Sequence, residues 1–225
     1  MCHMAVIQFF VDRIDPDEFK GRTVLEVGAR YVNGSVRPLV EKFCSPKEYI
    51  GIDVSAGRFV DLVLPAERIV EHFGEESFDV IISTELFEHV SNWRVVVENT
   101  KRALRKEGTI YVTTRSKGFP YHGWPYDFWR YELSDMRRIF LDFMMLSLVS
   151  DPEAPGVFLK ATKPRNWRPI ELSEIELYSM ILGSRTADIP SIADMPLNRR
   201  LALSMYSTIR ARLRECNSRI PPFYE

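Results

Sequence analysis

Between residues 23 and 114 the chain alternates short β-rich runs with segments of helical spacing. That alternation restricts it to folds built on a parallel sheet. The runs are Thr23–Val27, Tyr49–Asp53, Asp61–Leu64, Phe78–Ser83 and Thr109–Thr114. Phe78–Ser83 is almost continuously apolar, as suits a strand covered on both faces. Ser35 can cap a helix carrying Val36, Leu39, Val40 and Phe43 at helical spacing, with Pro38 in the first turn, where a missing N–H costs little. A second helix from Ser91 or Asn92 puts Trp93, Val96, Val97 and Leu104 on one face. A third, begun by Ser134, carries Met136, Ile139 and Phe140. Met144–Val149 and Val157–Ala161 are split by Asp151–Gly156, which holds two prolines and a glycine, so they predict an antiparallel hairpin at a sheet edge. The expected class is α/β, with a mostly parallel sheet.

The texture changes near Lys163. Two helical stretches are expected there, Ile170–Leu182 and Leu197–Cys216, and no further strand. The chain therefore divides into a domain at 1–162 and a helical C-terminal extension at 163–225. The last helix carries Leu201, Met205, Ile209 and Leu213 at four-residue spacing, an apolar stripe that packs on the domain or pairs with a second copy of the chain. Arg199, Arg200, Arg210, Arg212, Arg214 and Arg219 lie in the same region. A formal net charge of −1 and the absence of any nucleic-acid motif argue against a nucleic-acid partner. No apolar run approaches the roughly 20 residues that span a bilayer. Ala5–Val11 is short, lacks a basic region before it, and is read as a packing segment ahead of the first strand. Three scattered cysteines, Cys2, Cys44 and Cys216, form neither a disulfide framework nor a zinc spacing, which fits a reducing, cytoplasmic setting.

The first strand ends in Gly28, where a glycine permits a sharp turn and a close ligand. A dinucleotide cradle would want glycines two and five positions later, and Arg30 and Asn33 stand there instead. This disfavours a nicotinamide dehydrogenase and suits a nucleoside ligand without phosphate. Asp53 ends the second strand, where an acid accepts from ribose hydroxyls in doubly wound folds. It could equally cap the turn before Ser55. The fourth strand runs into Ser83-Thr84-Glu85-Leu86-Phe87-Glu88-His89-Val90, polar groups at the end of a central strand. His89 alone reads more readily as a packed histidine than a catalytic one.

The run Val24-Leu25-Glu26-Val27-Gly28, the strand end Gly51-Ile52-Asp53, and Phe78-Asp79-Val80-Ile81 leading to Phe87-Glu88-His89-Val90 resemble class I S-adenosylmethionine-dependent methyltransferases, in particular the type 11 branch. The resemblance spans roughly residues 20–162. It implies a Rossmann-like doubly wound sheet and S-adenosylmethionine as cofactor. Glu26 and Gly28 would line its methionine side, Ala29 would also contact the cofactor, Asp53 would hold the ribose, and Ser83 and Thr84 would lie beneath the cofactor near the transferred methyl. The sequence departs from the family twice. Ala29 and Arg30 replace the usual second glycine, and Pro65 stands where an acid often reads the adenine amino group, leaving adenine to the backbone near Leu64 and Ala66. Both departures keep open a non-catalytic relative that serves as a binding module for a partner protein.

The loop Ser116–Glu132 holds two prolines, two glycines and many aromatics, and follows the fifth strand, so it should overhang the ligand crevice. It resembles the proline–histidine–aspartate loops of methyltransferases found near polysaccharide-modifying enzymes. The resemblance suggests a small-molecule or glycan hydroxyl as methyl acceptor. A hydroxyl must lose its proton, and imidazole exchanges protons near neutral pH, which makes His122 the candidate base. Asp127 would orient it or be the base itself. His122 and Asp127 lack a third ligand, so no metal is expected. The aromatics could also simply plug the top of the domain.

Overall fold

The computed structural model describes residues 3–218, with side chains as far as residue 209. Among the described residues ten strands are present: β1 (Thr23–Val27), β2 (Glu48–Asp53), β3 (Leu62–Val63), β4 (Phe78–Thr84), β5 (Leu104–Arg115), β6 (Trp129–Arg130), β7 (Met144–Ser150), β8 (Gly156–Thr162), β9 (Leu177–Ser179) and β10 (Arg185–Thr186). Seven form one sheet in the order β3-β2-β1-β4-β5-β8-β7. β3 through β5 pair in parallel, whereas β8 pairs antiparallel with both β5 and β7. The expected Rossmann-like sheet and antiparallel edge hairpin are both present. The strand order reverses between β1 and β4, the place where open sheets of this type bind ligands.

Alternation along each strand sends side chains to two helical layers. Val24, Val80, Ile82, Tyr111 and Phe158 pack against α1 (Met4–Arg13), α2 (Pro16–Phe19) and α3 (Arg37–Cys44). Ala5, Val6, Phe9 and Phe10 of α1 are buried there, so the N-terminal apolar run is indeed a packing segment. Leu25, Ile81, Ile110 and Val112 face the other layer, which holds α4 (Ile69–Phe73), α5 (Trp93–Ala103) and α6 (Leu133–Ile139). Trp93, Val96 and Val97 pack there as their spacing predicts.

Several local expectations are corrected. α3 buries Val36, Val40 and Cys44, not Leu39 and Phe43, and Phe43 is 64% exposed. Ser35 sits one residue ahead of the N-cap, and its Oγ accepts from the Arg37 N–H at 3.1 Å. Leu104 opens β5 rather than closing α5. α6 is capped by Glu132, whose backbone N–H donates to Asp135 Oδ2 at 2.9 Å, not by Ser134.

The largest correction concerns Ile170–Leu182, which is not helical. Carbonyls that a helix would spend on its own N–H groups are taken by Arg94, which donates to Leu172 O, Ser173 O and Ile175 O. The segment then enters β9, which pairs with β6 and β10 in a second, three-stranded sheet. Leu172, Ile175, Leu177, Ile181 and Met195 join the same core as α5 and α6. The last helix, α7 (Leu197–Ser218), leaves Leu201, Met205 and Ile209 exposed at 55%, 65% and 55%. The side chains of Leu213, Arg210, Arg212, Arg214 and Cys216 lie outside the described residues, as do Cys2 and Arg219 altogether. No helix among the described residues is long and apolar enough to cross a membrane.

Candidate functional site

A crevice of about 810 Å³ opens at the carboxyl ends of β1, β2 and β4. Its size suits a small-molecule site. Gly28, Asp53, Leu64, Ala66 and Thr84 line it, five of the eight residues expected to hold a cofactor. Gly28 adopts φ +80°, and a Cβ there would stand 3.1 Å from Leu86, which also lines the crevice. The first turn therefore needs a glycine on conformational grounds. Asp53 Oδ1 accepts from the Ser55 N–H at 3.0 Å and Oδ2 from the Arg30 N–H at 3.3 Å. A carboxylate offers about four lone-pair sites, so each oxygen keeps capacity for another donor. Both readings of Asp53, turn cap and ribose acceptor, are thus compatible. The Leu64 N–H is taken by Asp53 O at 2.9 Å. Ala66 opens a 3₁₀ turn, whose first N–H groups have no partner within the turn.

The other three lie outside the crevice lining. Glu26 is buried beside Tyr49, whose hydroxyl donates to Glu26 Oε2 at 2.8 Å. Burial pushes its carboxyl up to about 7, against the lowering effects of the Tyr49 hydrogen bond and Arg37. Ala29 is buried, with its N–H donating to Ile52 O at 3.0 Å. Ser83 is fully buried, and its Oγ finds no hydrogen-bond partner among the described residues.

The aromatic loop is built mostly as core. Phe128, Trp129 and Tyr131 are buried, Trp129 donating to Ser91 O and Tyr131 to Phe87 O. Tyr126, 65% exposed, and Phe128 reach the crevice. Neither His122 nor Asp127 lines it. Asp127 is fully buried and accepts from Arg130 through both oxygens and from the His122 backbone N–H at 2.6 Å. Burial alone would raise this carboxyl, but Arg130 and His122 overcome it and hold it at about 2. Such a group orients its neighbours and accepts protons poorly at neutral pH. His122 Nδ1 stands 3.1 Å from Asp127 Oδ2, and the His122 ring contacts His89, centroids 4.6 Å apart. His89 does line the crevice, and its Nδ1 is hydrogen-bonded to Tyr126 O.

Sequence reasoning missed Arg30 and Glu67 as crevice residues, and placed Glu88 at the end of the fourth strand without giving it a role. Glu67, two positions after Pro65, puts an acid near the place where the proline removes one. Glu88 is completely buried, with Oε2 accepting from Thr114 Oγ1 at 2.9 Å. Glu85 carries φ +55° and pairs with Arg115, and burial, aided by Glu88, raises its carboxyl to about 7. The signal for Glu88 was its adjacency to His89, but only the fold brings His122 to the same point.

A methyltransferase-domain family model matches residues 4–144. (S)-coclaurine N-methyltransferase of Thalictrum flavum subsp. glaucum is 28% identical over 127 residues, covering 56% of this chain but 35% of that protein. The chain thus spans about a third of that curated relative's length. An S-adenosylmethionine-dependent methyltransferase from Mesorhizobium loti superposes with a TM-score of 0.54 at 12% identity, covering 71% of this chain and 98% of the other. Burkholderia thailandensis 1,6-didemethyltoxoflavin-N1-methyltransferase, solved with its substrate and S-adenosylhomocysteine, gives 0.52 at 14% identity, covering 64% and 72%. The structural likenesses establish a shared fold, and the family match extends over more than half of the sequence: the chain belongs to the methyltransferase-domain family.

Proposed function

We propose that this chain binds S-adenosylmethionine and transfers its methyl group to a small-molecule or glycan hydroxyl. The observation that carries the cofactor is the crevice itself: Gly28 at positive φ and Asp53 converge at the point of strand-order reversal, without the glycines a pyrophosphate would need. Ribose would lie on Asp53, adenine between Leu64, Ala66 and Glu67, and the methionine end near Gly28 and Thr84. The acceptor would enter beneath Tyr126, beside His89. Methyl transfer from a sulfonium is an in-line displacement, so the protein contributes mainly alignment, an effect that can supply roughly 7–11 kcal/mol.

A nitrogen acceptor is the second reading, favoured by the names of the two N-methyltransferases to which the chain is similar. Calorimetry with S-adenosylhomocysteine and with a nicotinamide dinucleotide tests the cofactor. Transfer of labelled methyl to matched hydroxyl and amine acceptors tests the chemistry. Binding of the dinucleotide alone would remove the methyl-transfer reading, and labelling of amines alone would replace the hydroxyl. A chain that binds the cofactor yet methylates no acceptor class would be the binding module instead. We further propose a homodimer through the exposed α7 stripe and a cytoplasmic setting.

A further inference from the structure

We propose that Glu88, His89 and His122 form a binding site for a divalent transition-metal ion of the zinc class. Each offers one ligand atom, and the three atoms lie within 4.8 Å of one another. Glu88 Oε1 is 4.0 Å from His89 Nε2 and 3.9 Å from His122 Nε2. Among the described residues no lysine or arginine lies within ion-pair distance of this oxygen; the two imidazoles are its neighbours.

The independent sign of a ligand is Glu88 itself. Its side chain is wholly buried, and Oε1 has no hydrogen-bond partner among the described residues. A buried polar group left without a partner costs about 1–3 kcal/mol, more when charged. Its rotamer is fixed from the other oxygen by Thr114, so Oε1 is held toward the two rings.

The imidazoles are oriented for the same task. His89 Nδ1 meets the Tyr126 carbonyl, which can only accept, so the neutral ring carries its proton on Nδ1 and offers the Nε2 lone pair to a ligand. His122 Nδ1 lies 3.1 Å from Asp127 Oδ2, within ion-pair reach but not in hydrogen-bond geometry, and that carboxylate is anchored in turn by Arg130. Carboxylates and carbonyls behind the far nitrogen are the usual outer partners of metal-binding histidines. One carboxylate and two imidazoles make a ligand set suited to zinc, with metal–ligand distances of about 2.0–2.2 Å. Ligand atoms about 2.1 Å from one ion at a tetrahedral angle lie about 3.4 Å apart, so such an ion would draw the three together from separations of up to 4.8 Å.

Three protein ligands leave a fourth position open, the arrangement of catalytic rather than structural zinc. His89 also lines the crevice, so that position would serve an oxygen arriving from there. A hydroxyl bound to the ion would lose its proton to water more readily. This role rests on the hydroxyl acceptor proposed above, whereas binding of the ion does not.

The test uses the full chain stripped with chelator and titrated with Zn²⁺ in a calorimeter, and with Co²⁺ followed by visible absorption. We expect one ion per chain, a cobalt spectrum of low-symmetry coordination, and at least tenfold weaker binding in His89→Ala and in His122→Ala. His72→Ala, on the exposed end of α4, should bind as the parent does. Failure of the parent chain to bind one ion overturns the site whether or not the variants fold. Unchanged affinity in both folded variants overturns it as well. S-adenosylhomocysteine is titrated in the same preparation. Cofactor binding without ion binding sinks this site alone, and ion binding without cofactor binding sinks the methyl-transfer reading alone.

Discussion

Arg130 grips Asp127 at both carboxylate oxygens, Nη1 to Oδ1 at 2.5 Å and Nη2 to Oδ2 at 2.8 Å, with neither side chain exposed to solvent. The same guanidinium donates to Pro120 O, Phe119 O and Trp129 O, so one ion pair fastens the aromatic loop at three further points. Removing one partner of a buried pair leaves the other uncompensated. Asp127→Asn should destabilise the protein by about 3–5 kcal/mol in chemical denaturation. A loss below about 1 kcal/mol would mean that the loop is held by packing alone.

Glu26 gives the protein a pH signature away from the crevice. Its folded value of about 7 exceeds the ordinary 4.5 because burial disfavours the charge. The folded state therefore binds the extra proton, and the stabilisation is complete below about pH 4.5 and is lost as pH rises through about 7. At about 1.4 kcal/mol per pH unit the span is about 3 kcal/mol. Glu26→Gln keeps an acceptor for Tyr49 and removes the titration. Its melting temperature should fall less than that of the parent between pH 5 and 8. Parallel curves for the two proteins would show that Glu26 is ionised throughout.

Asp53 is the residue on which ribose recognition depends. Asp53→Ala should weaken S-adenosylhomocysteine by about 1.5–3 kcal/mol, roughly ten- to a hundredfold in the calorimeter. Because Asp53 also receives the Arg30 and Ser55 N–H groups, the melting temperature of the free variant must be measured beside it. Undiminished affinity would leave Asp53 as a turn cap only.

Gly28 is constrained twice, by φ +80° and by Leu86 at 3.1 Å from a built Cβ. Gly28→Ala should cost about 1–2 kcal/mol from the backbone alone. It should also lower cofactor affinity, because the alanine methyl and Leu86 compete for space at the crevice wall. Adding Leu86→Ala relieves only the second effect. Full affinity in the single variant would place the cofactor farther from this turn.

The α7 stripe is tested by Leu201→Glu together with Met205→Glu, both exposed in the single chain. Light scattering should show a dimer for the parent and a monomer for the variant. Two monomers would leave the stripe without a partner copy.

The sequence by itself determined the main sheet. Alternating apolar runs with Gly28 and Asp53 at their ends follow from strand geometry and a turn that only glycine makes easily, and both are local. It also marked Ala5–Val11 as a segment that packs, because the run is apolar however the rest folds, but not as the helix α1 that it forms. What lay between elements was decided in three dimensions. Ile170–Leu182 has helical spacing, yet Arg94, nearly eighty residues away, claims its carbonyls and β6 offers it an edge. In the sequence Asp127 reads as orienting His122 or as the base itself, and only the fold brings Arg130 onto both of its oxygens. His122, more than thirty residues from Glu88, met Glu88 and His89 only because the loop after β5 folds back over β4. Burial, ion pairing and the meeting of distant side chains are properties of the packed chain, which local periodicity does not encode.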